Sequence, residues 1–224
     1  MGATAAWVRE FGPDMVAVAA SAALVAAYYV RLRARTRLDP TASIHGVNEL
    51  ARAVWVRHVM ANPAKDVMAV QTMRNFIMGA SLMATTAAFL ILGTLTLSGQ
   101  AEGIARNWHA INVLGSTSSE IWIVKIMCLL ADFIVAFFAF AMAVRLANHV
   151  VFMVNVPVPQ EHPALSPEAV ARRLNRAGAH FAAGMRAFFF AVPLVFWLFG
   201  PVFLAVATVG LVVALARLDR NIAV

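Results

Sequence analysis

One acidic residue, Asp132, interrupts a long apolar run and is the first candidate for chemistry in this sequence. It lies ~18 Å along a helix that starts near Glu120, at 1.5 Å per residue, and is the only acid at that depth. An ionisable group inside a bilayer is costly, so it marks a functional site by default. Two interpretations are open: a structural Asp hydrogen-bonded by Thr85 and Thr86, or a residue on a proton or cation pathway.

A polar stripe on the helix predicted over 69–92 is the second candidate. Its members alternate steps of three and four residues, which places them on one helix face. A channel or transporter could use such a face to line its path. Three alanines at intervals of four would let a neighbouring helix approach closely in lipid. The stripe consists of Gln71, Arg74, Met78, Ser81, Thr85 and Ala88, with Asn75 and Thr86 beside it, and the alanines are Ala80, Ala84 and Ala88.

A third group of polar residues lies where the predicted spans meet the cytoplasm. Together with the start of the stripe, these residues could line a vestibule that attracts anions. The alternative is that their side chains snorkel to the interface or bind the ends of helices. The group consists of Arg145, Asn148, His149, Asn155, His180 and Arg186.

The sequence contains no recognisable catalytic or cofactor motif. None of the six histidines shows a close metal-ligand spacing, and none lies inside a predicted span, where a transmembrane haem would need it. There is no glycine-rich phosphate loop and no serine or zinc protease signature. We therefore expect no cofactor and no enzymatic activity.

Composition places all these residues in a membrane protein. The chain has 224 residues, of which 62% are hydrophobic and only 13% charged. A soluble domain is nearer half apolar and a quarter charged. The net charge of +7 is typical of nucleic-acid binding in a soluble protein, but here the basic residues gather in loops, and we expect no nucleic acid. One domain fits this length.

The elements that must position the candidates are predicted to form an all-α integral membrane bundle of four transmembrane helices with a cytoplasmic helical layer. Apolar residues at helical spacing over 47–59 predict an amphipathic helix within that layer, suited to the headgroup region. The predicted spans are about 14–31, 75–97, 120–146 and 187–216, and the predicted cytoplasmic helical segments are about 45–74 and 148–186.

The last span is ambiguous because Pro193 and Gly200-Pro201 interrupt it. Thirty residues form ~45 Å of helix, too long for one untilted span, whereas each half is short for a span of its own. A single kinked span would leave Arg217 and Arg220 outside, and a re-entrant hairpin would bring them inside. We expect the single span, because proline kinks are tolerated in membrane helices.

The distribution of basic residues predicts the orientation. Segment 31–74 holds eight of the 18 lysines and arginines, segment 145–186 holds five, and the other side holds the remaining five. Because basic residues accumulate in cytoplasmic loops, we expect the N-terminus outside and an inner (plasma) membrane location. The bilayer itself and acidic lipids at the cytoplasmic face are the partners this pattern predicts.

Three sequence blocks resemble a known family. The first comprises 69–75 (AVQTMRN), 78–79 and 84–87; the second 144–148 (VRLAN), Phe152 and Asn155; the third 186–188, 193–194, Trp197, 199–201 and 217–219. Together they resemble the domain of unknown function 599 family of bacteria and plants. The resemblance implies a multi-pass membrane protein with about four spans and carries no activity to transfer. Asp132 lies outside these blocks.

Two functions follow as hypotheses from this sequence. The first is a non-enzymatic membrane protein that assembles as a homo-oligomer or as a subunit of a larger membrane complex. The second is an ion channel or small-solute transporter lined by the polar stripe.

Overall fold

The computed structural model describes residues 2–39, 41, 43–99, 119–156 and 162–219, and the regular structure in these ranges is helical. Short 3-10 turns precede two of the helices, at Pro63–Lys65 and Pro163–Leu165. The six α-helices are α1 (Gly2–Leu38), α2 (Ile44–Met60), α3 (Asp66–Gly99), α4 (Ser119–Val154), α5 (Pro167–Phe199) and α6 (Pro201–Leu218). The all-helical prediction is confirmed for the described residues.

Five of these helices, all except α2, are long and apolar enough to cross a membrane. The four-span count is therefore not confirmed, and the difference arises at the C-terminal end. The expected spans over 14–31, 75–97 and 120–146 lie inside α1, α3 and α4. The expected cytoplasmic segments are distributed over α2, the first turns of α3, the last turns of α4 and the first half of α5.

The prediction of one kinked helix over 187–216 is wrong. Pro193 lies inside α5 without ending it, but Gly200 separates α5 from α6. Its φ of 142° is a backbone conformation that side chains with a Cβ rarely adopt, and Pro201 then occupies the first turn of α6. Asp219, just after α6, contacts Arg186 of α5, so α6 runs back antiparallel to α5. At ~27 Å, α6 is close to the thickness of a bilayer core.

Helix α5 lies at the centre of the bundle. It packs against α4, α6 and α2, while α3 packs against α4 and α1 packs against α6. Small residues allow the closest approach: a Cβ added to Gly184 would lie 2.8 Å from the ring of Phe140, which is fully buried. Of the three alanines predicted to allow close packing, Ala80 is fully buried and Ala84 and Ala88 are partly buried, while Ala87 is fully buried as well.

Helix α2 lies against α5, and its buried side differs in part from the predicted one. Ser43 caps its start and accepts a hydrogen bond from the backbone N–H of Gly46. Val59, predicted for the apolar face, is buried together with Val56 and Met60, whereas Leu50 and Val54 of the same predicted face are each 53% exposed.

Candidate functional site

A cluster around Asp219 joins four helices at one end of the bundle. The Asp219 carboxylate lies 3.1 Å from Nη2 of Arg186, accepts a hydrogen bond from the hydroxyl of Tyr28, and lies 3.5 Å from Nε2 of His45. Its side chain is only 9% exposed. Arg186 also lies 2.6 Å from Nε2 of His45 and 5.2 Å from the ring centroid of Tyr29. We call this set the Asp219 cluster and this end of the bundle the basic end.

The charge of Asp219 is stabilised by its neighbours. Burial alone would raise the pKa of this carboxyl group. The contacts with His45 and Tyr28 and the positive charge of Arg186 outweigh burial and hold the pKa of Asp219 below its usual range. The Asp219 cluster therefore links α1, α2 and α5 to the end of α6 through an ionised, hydrogen-bonded carboxylate.

A second cluster, around Asp14, lies at the opposite end of the bundle. Lys125 Nζ of α4 is 3.0 Å from Asp14 Oδ1 of α1, and the side chains are 4% and 1% exposed. The indole N–H of Trp197 on α5 donates to the same oxygen at 2.8 Å. Lys125 also lies 5.5 Å from the ring centroid of Trp197. We call this the Asp14 cluster; it links α1 to α4 and α5 through a buried ion pair.

Asp132 does not receive the donors that the sequence predicts. Its Oδ2 is buried and has no hydrogen-bond partner among the described residues. Thr85 donates to the carbonyl of Ser81 at 3.0 Å, and Thr86 donates to that of Leu82 at 2.9 Å. The prediction that these hydroxyls satisfy Asp132 is therefore wrong, because each is satisfied within its own helix. Asp132 lies ~10 Å along α4 from Lys125, toward the basic end.

The polar stripe of α3 lies on the outside of the bundle. Gln71, Arg74, Asn75 and Thr85 are exposed, and Ser81 is partly buried. The face that packs on α4 carries Ala69, Met73, Ala80, Ala87 and Thr94 instead. Within one chain the stripe therefore lines no path between helices. The channel hypothesis in its original form is not supported.

The predicted vestibule residues are not brought together into one pocket. Arg145, Asn148 and His149 are exposed on α4, and His180 is partly buried on α5. The amide of Asn155 donates to the carbonyl of Val151 at 3.3 Å, while its Oδ1 is buried without a partner among the described residues. Only Arg186 enters a polar cluster. Sequence spacing predicted that these residues lie near one end of the bundle. It could not predict on which side of the bundle each residue lies.

A basic groove lies between α2 and α5, beside the Asp219 cluster. Its volume is about 670 Å³. Four arginines line it together with Asn175 and Gly178, and Glu49 is its one acid. The arginines are Arg52, Arg172, Arg176 and Arg186. No group of three or more metal-binding side chains occurs within the residues described by the structure.

Comparison with known proteins assigns the chain to a family. The profile of the family described as "Protein of unknown function, DUF599" matches residues 16–224. The chain belongs to this family. No curated protein and no solved structure is significantly similar to it. The DUF599 membership confirms the sequence resemblance and assigns no activity to the chain.

Several residues of the sequence blocks that resemble the DUF599 family lie in the two clusters. Arg186 and Asp219 of the third block form the centre of the Asp219 cluster, and Trp197 of the same block donates to Asp14. Asp14, Lys125 and Tyr28 are not among the residues that the sequence predicts for a site. The signal that could have found them is a spacing of seven residues between polar side chains, which places those side chains on one side of a helix. Asp14, Ser21 and Tyr28 have this spacing on α1, and Lys125 and Asp132 have it on α4.

Proposed function

We propose that this protein is a non-enzymatic membrane protein that assembles with further copies of itself through the outer face of α3. One observation carries the proposal: α3 lies at the side of the bundle, packed mainly on α4 with Phe76 against Phe181 of α5, and its polar stripe points away from the bundle. Asn75 and Thr85 lie within the expected span 75–97, where exposed polar side chains are typical of contacts between helices rather than with lipid. A larger complex with other subunits is the alternative occupant of this face.

The chemistry of the outer face suits a two-fold contact. Gln71 and Asn75 are one turn apart, and neither amide has a hydrogen-bond partner within the described part of the chain. In a symmetric pair the same patch meets itself, so each amide can donate to and accept from its copy. Further along, Met78, Leu82 and Phe89 are 62%, 62% and 68% exposed and would supply the apolar contact.

Cysteine crosslinking tests this interface. In a Cys128→Ala background, which removes the exposed native thiol, Met78→Cys and Leu82→Cys should each yield covalent dimers in native membranes upon mild oxidation. Val206→Cys, at a position of α6 that is 66% exposed, is the matched control and should remain monomeric. Equal crosslinking at all three positions, or none at α3, would contradict the proposed interface.

A proton or cation pathway is the second candidate, and the unpartnered atoms between the two clusters favour it. Ser21 Oγ and Asp132 Oδ2 are buried without partners within the described residues. Each lies ~10 Å from the Asp14–Lys125 pair, because each is seven residues further along its helix. From Ser21 a further seven residues lead to Tyr28 in the Asp219 cluster. A pathway would therefore follow α1 and α4 rather than the stripe of α3.

Flux through liposomes tests this second candidate. Purified protein is reconstituted with a pH-sensitive dye inside, and an imposed pH gradient is followed with and without a membrane potential. A proton pathway predicts a protein-dependent flux that Asp132→Asn abolishes and that Thr85→Val leaves unchanged. Flux that is equal to that of empty liposomes, or insensitive to Asp132→Asn, would count against it.

The orientation is proposed from the basic end. The exposed residues Arg31, Arg33, Arg35 and Arg37 extend α1 beyond the Asp219 cluster. The turn at Gly200 brings Arg217 to the same end. A single span over 187–216 would instead have placed Arg217 on the opposite, outer side. We therefore assign the basic end to the cytoplasm of the inner (plasma) membrane, with acidic lipids as its partners and the N-terminus outside.

A further inference from the structure

The basic groove between α2 and α5 has more positive charge than its own acids neutralise. Arg186 is balanced by Asp219, but Arg172 and Arg176 have no carboxylate within salt-bridge distance among the described residues. Glu49 is the one acid that lines the groove, against three remaining guanidinium groups. An electropositive cavity with an excess of guanidinium groups attracts anions.

One of these arginines is held in place by the fold. Arg52 donates through Nε to Asn175 Oδ1 at 2.8 Å, and the amide of Asn175 donates to the carbonyl of Glu49 at 3.2 Å. Gly178 makes room for the side chain, since a Cβ at that position would lie 2.7 Å from Arg52 Cζ. Burial lowers the pKa of Arg52, so an anion beside it would compensate for lost hydration. Its terminal nitrogens form a preorganised donor group.

The anion that best fits this arrangement carries a phosphate group. Guanidinium groups present several N–H donors in a planar fork that matches the oxygens of phosphate. Along α5 the groove extends from Arg186, at the Asp219 cluster, to Arg172, a distance of ~21 Å. Its wall also includes the apolar residues Phe76, Phe181 and Ala182. A site of this shape is long enough for a headgroup and open to a soluble phosphate compound.

We infer that the groove between α2 and α5 is a binding site for a phosphate group, from either an anionic lipid headgroup or a soluble phosphate compound. Arg52 is its fixed donor, and Arg172 and Arg176 are its mobile donors. The inference goes beyond the proposed assembly and does not depend on it, because none of these residues belongs to the outer face of α3.

Binding measurements on the full chain test the site. Protein is placed in nanodiscs of phosphatidylcholine alone and titrated with inorganic phosphate and glycerol 3-phosphate by calorimetry. In a second arm, nanodiscs with increasing phosphatidylglycerol are analysed by native mass spectrometry for lipid retained by the protein. Saturable binding in the first arm identifies a soluble source, and selective retention in the second arm identifies a lipid source. Either result supports the site.

Matched variants make the result specific to the groove. Arg172→Gln with Arg176→Gln should weaken binding at least tenfold, and Gly178→Ala should weaken it by displacing Arg52. The control pair, Arg33→Gln with Arg35→Gln, removes the same charge from exposed positions outside the groove. It should leave phosphate binding in the phosphatidylcholine nanodiscs within twofold and should lower lipid retention less than the groove pair does. Equal losses in both pairs, or no saturable binding in either arm, would overturn the inference.

Discussion

Replacing Lys125 with methionine should destabilise the protein strongly, although the new side chain is apolar and of similar length. The substitution leaves the Asp14 carboxylate, whose side chain is 1% exposed, without the ammonium group 3.0 Å away. Removing one partner of a buried ion pair costs about 3–5 kcal/mol of unfolding free energy. The indole N–H of Trp197 still donates to Asp14, so we expect the lower part of that range.

A double variant distinguishes charge imbalance from a simple packing defect. Asp14→Asn combined with Lys125→Met removes both charges and keeps an acceptor for Trp197. Replacing a buried pair by neutral groups is often close to neutral in stability. The double variant should therefore lose less unfolding free energy than either single variant.

The assay is reversible SDS unfolding in mixed micelles, followed by the loss of helical circular dichroism. Lys65→Met is the matched control, because Lys65 is partly exposed and its ammonium group contacts only His58 among the described residues. We expect its effect to be within about 0.5 kcal/mol. The reasoning is refuted if Lys125→Met is no more damaging than Lys65→Met, or if the effects of Asp14→Asn and Lys125→Met simply add.

Three further predictions concern the rest of the fold. The pKa of Asp219 is lowered in the folded protein, so its ionised carboxylate should stabilise the fold above the ordinary carboxyl pKa of about 3.9. This stabilisation should disappear as pH falls through the folded-state pKa. Unfolding free energy measured against pH should show the loss in the native chain and not in Asp219→Asn. Gly184→Ala should cost about 1–3 kcal/mol of unfolding free energy through its clash with Phe140, whereas Gly93→Ala, where no atom lies within 4 Å, should be neutral or stabilising in the same SDS titration. A reporter fused to the C-terminus should be active on the same side of the membrane as one inserted near Asp39, and reporters on opposite sides would contradict the antiparallel hairpin of α5 and α6.

Helix positions were largely predictable because they depend on local patterns. Ser166 precedes Pro167 and accepts a hydrogen bond from the N–H of Ala169 at 3.3 Å, as a cap-and-proline start predicts. Asn62 does the same before Pro63. Apolar runs of span length identified the membrane character for the same reason. Such signals need only neighbouring residues.

The ends of α5 and α6 show where local patterns are insufficient. Pro193 and Gly200-Pro201 both interrupt an apolar run, and composition does not tell a kink from a chain reversal. The chain reverses at Gly200 because the backbone of this residue adopts a positive φ and because Asp219 forms an ion pair with Arg186 on the neighbouring helix. That second condition is a tertiary contact, which no window of sequence contains.

The candidate site was harder to predict because its partners are far apart in the chain. Asp14 and Trp197 are separated by 183 residues, and Tyr28 and Asp219 by 191. In the sequence, Asp14 resembles an ordinary acid at a helix start, and Lys125 counts as one basic residue of the outer side. They become partners because the start of α1 lies beside α4 and α5 in the fold.

The mass of the native particle tests the proposed assembly most directly. The purified full chain, of 24.1 kDa, is measured by native mass spectrometry after release from mild detergent, over a range of protein concentrations. Assembly through α3 predicts a particle of at least two copies in the native chain, and a shift to single copies in a Leu82→Arg variant, whose charge is buried in the interface. A single copy at every concentration in the native chain would contradict the account.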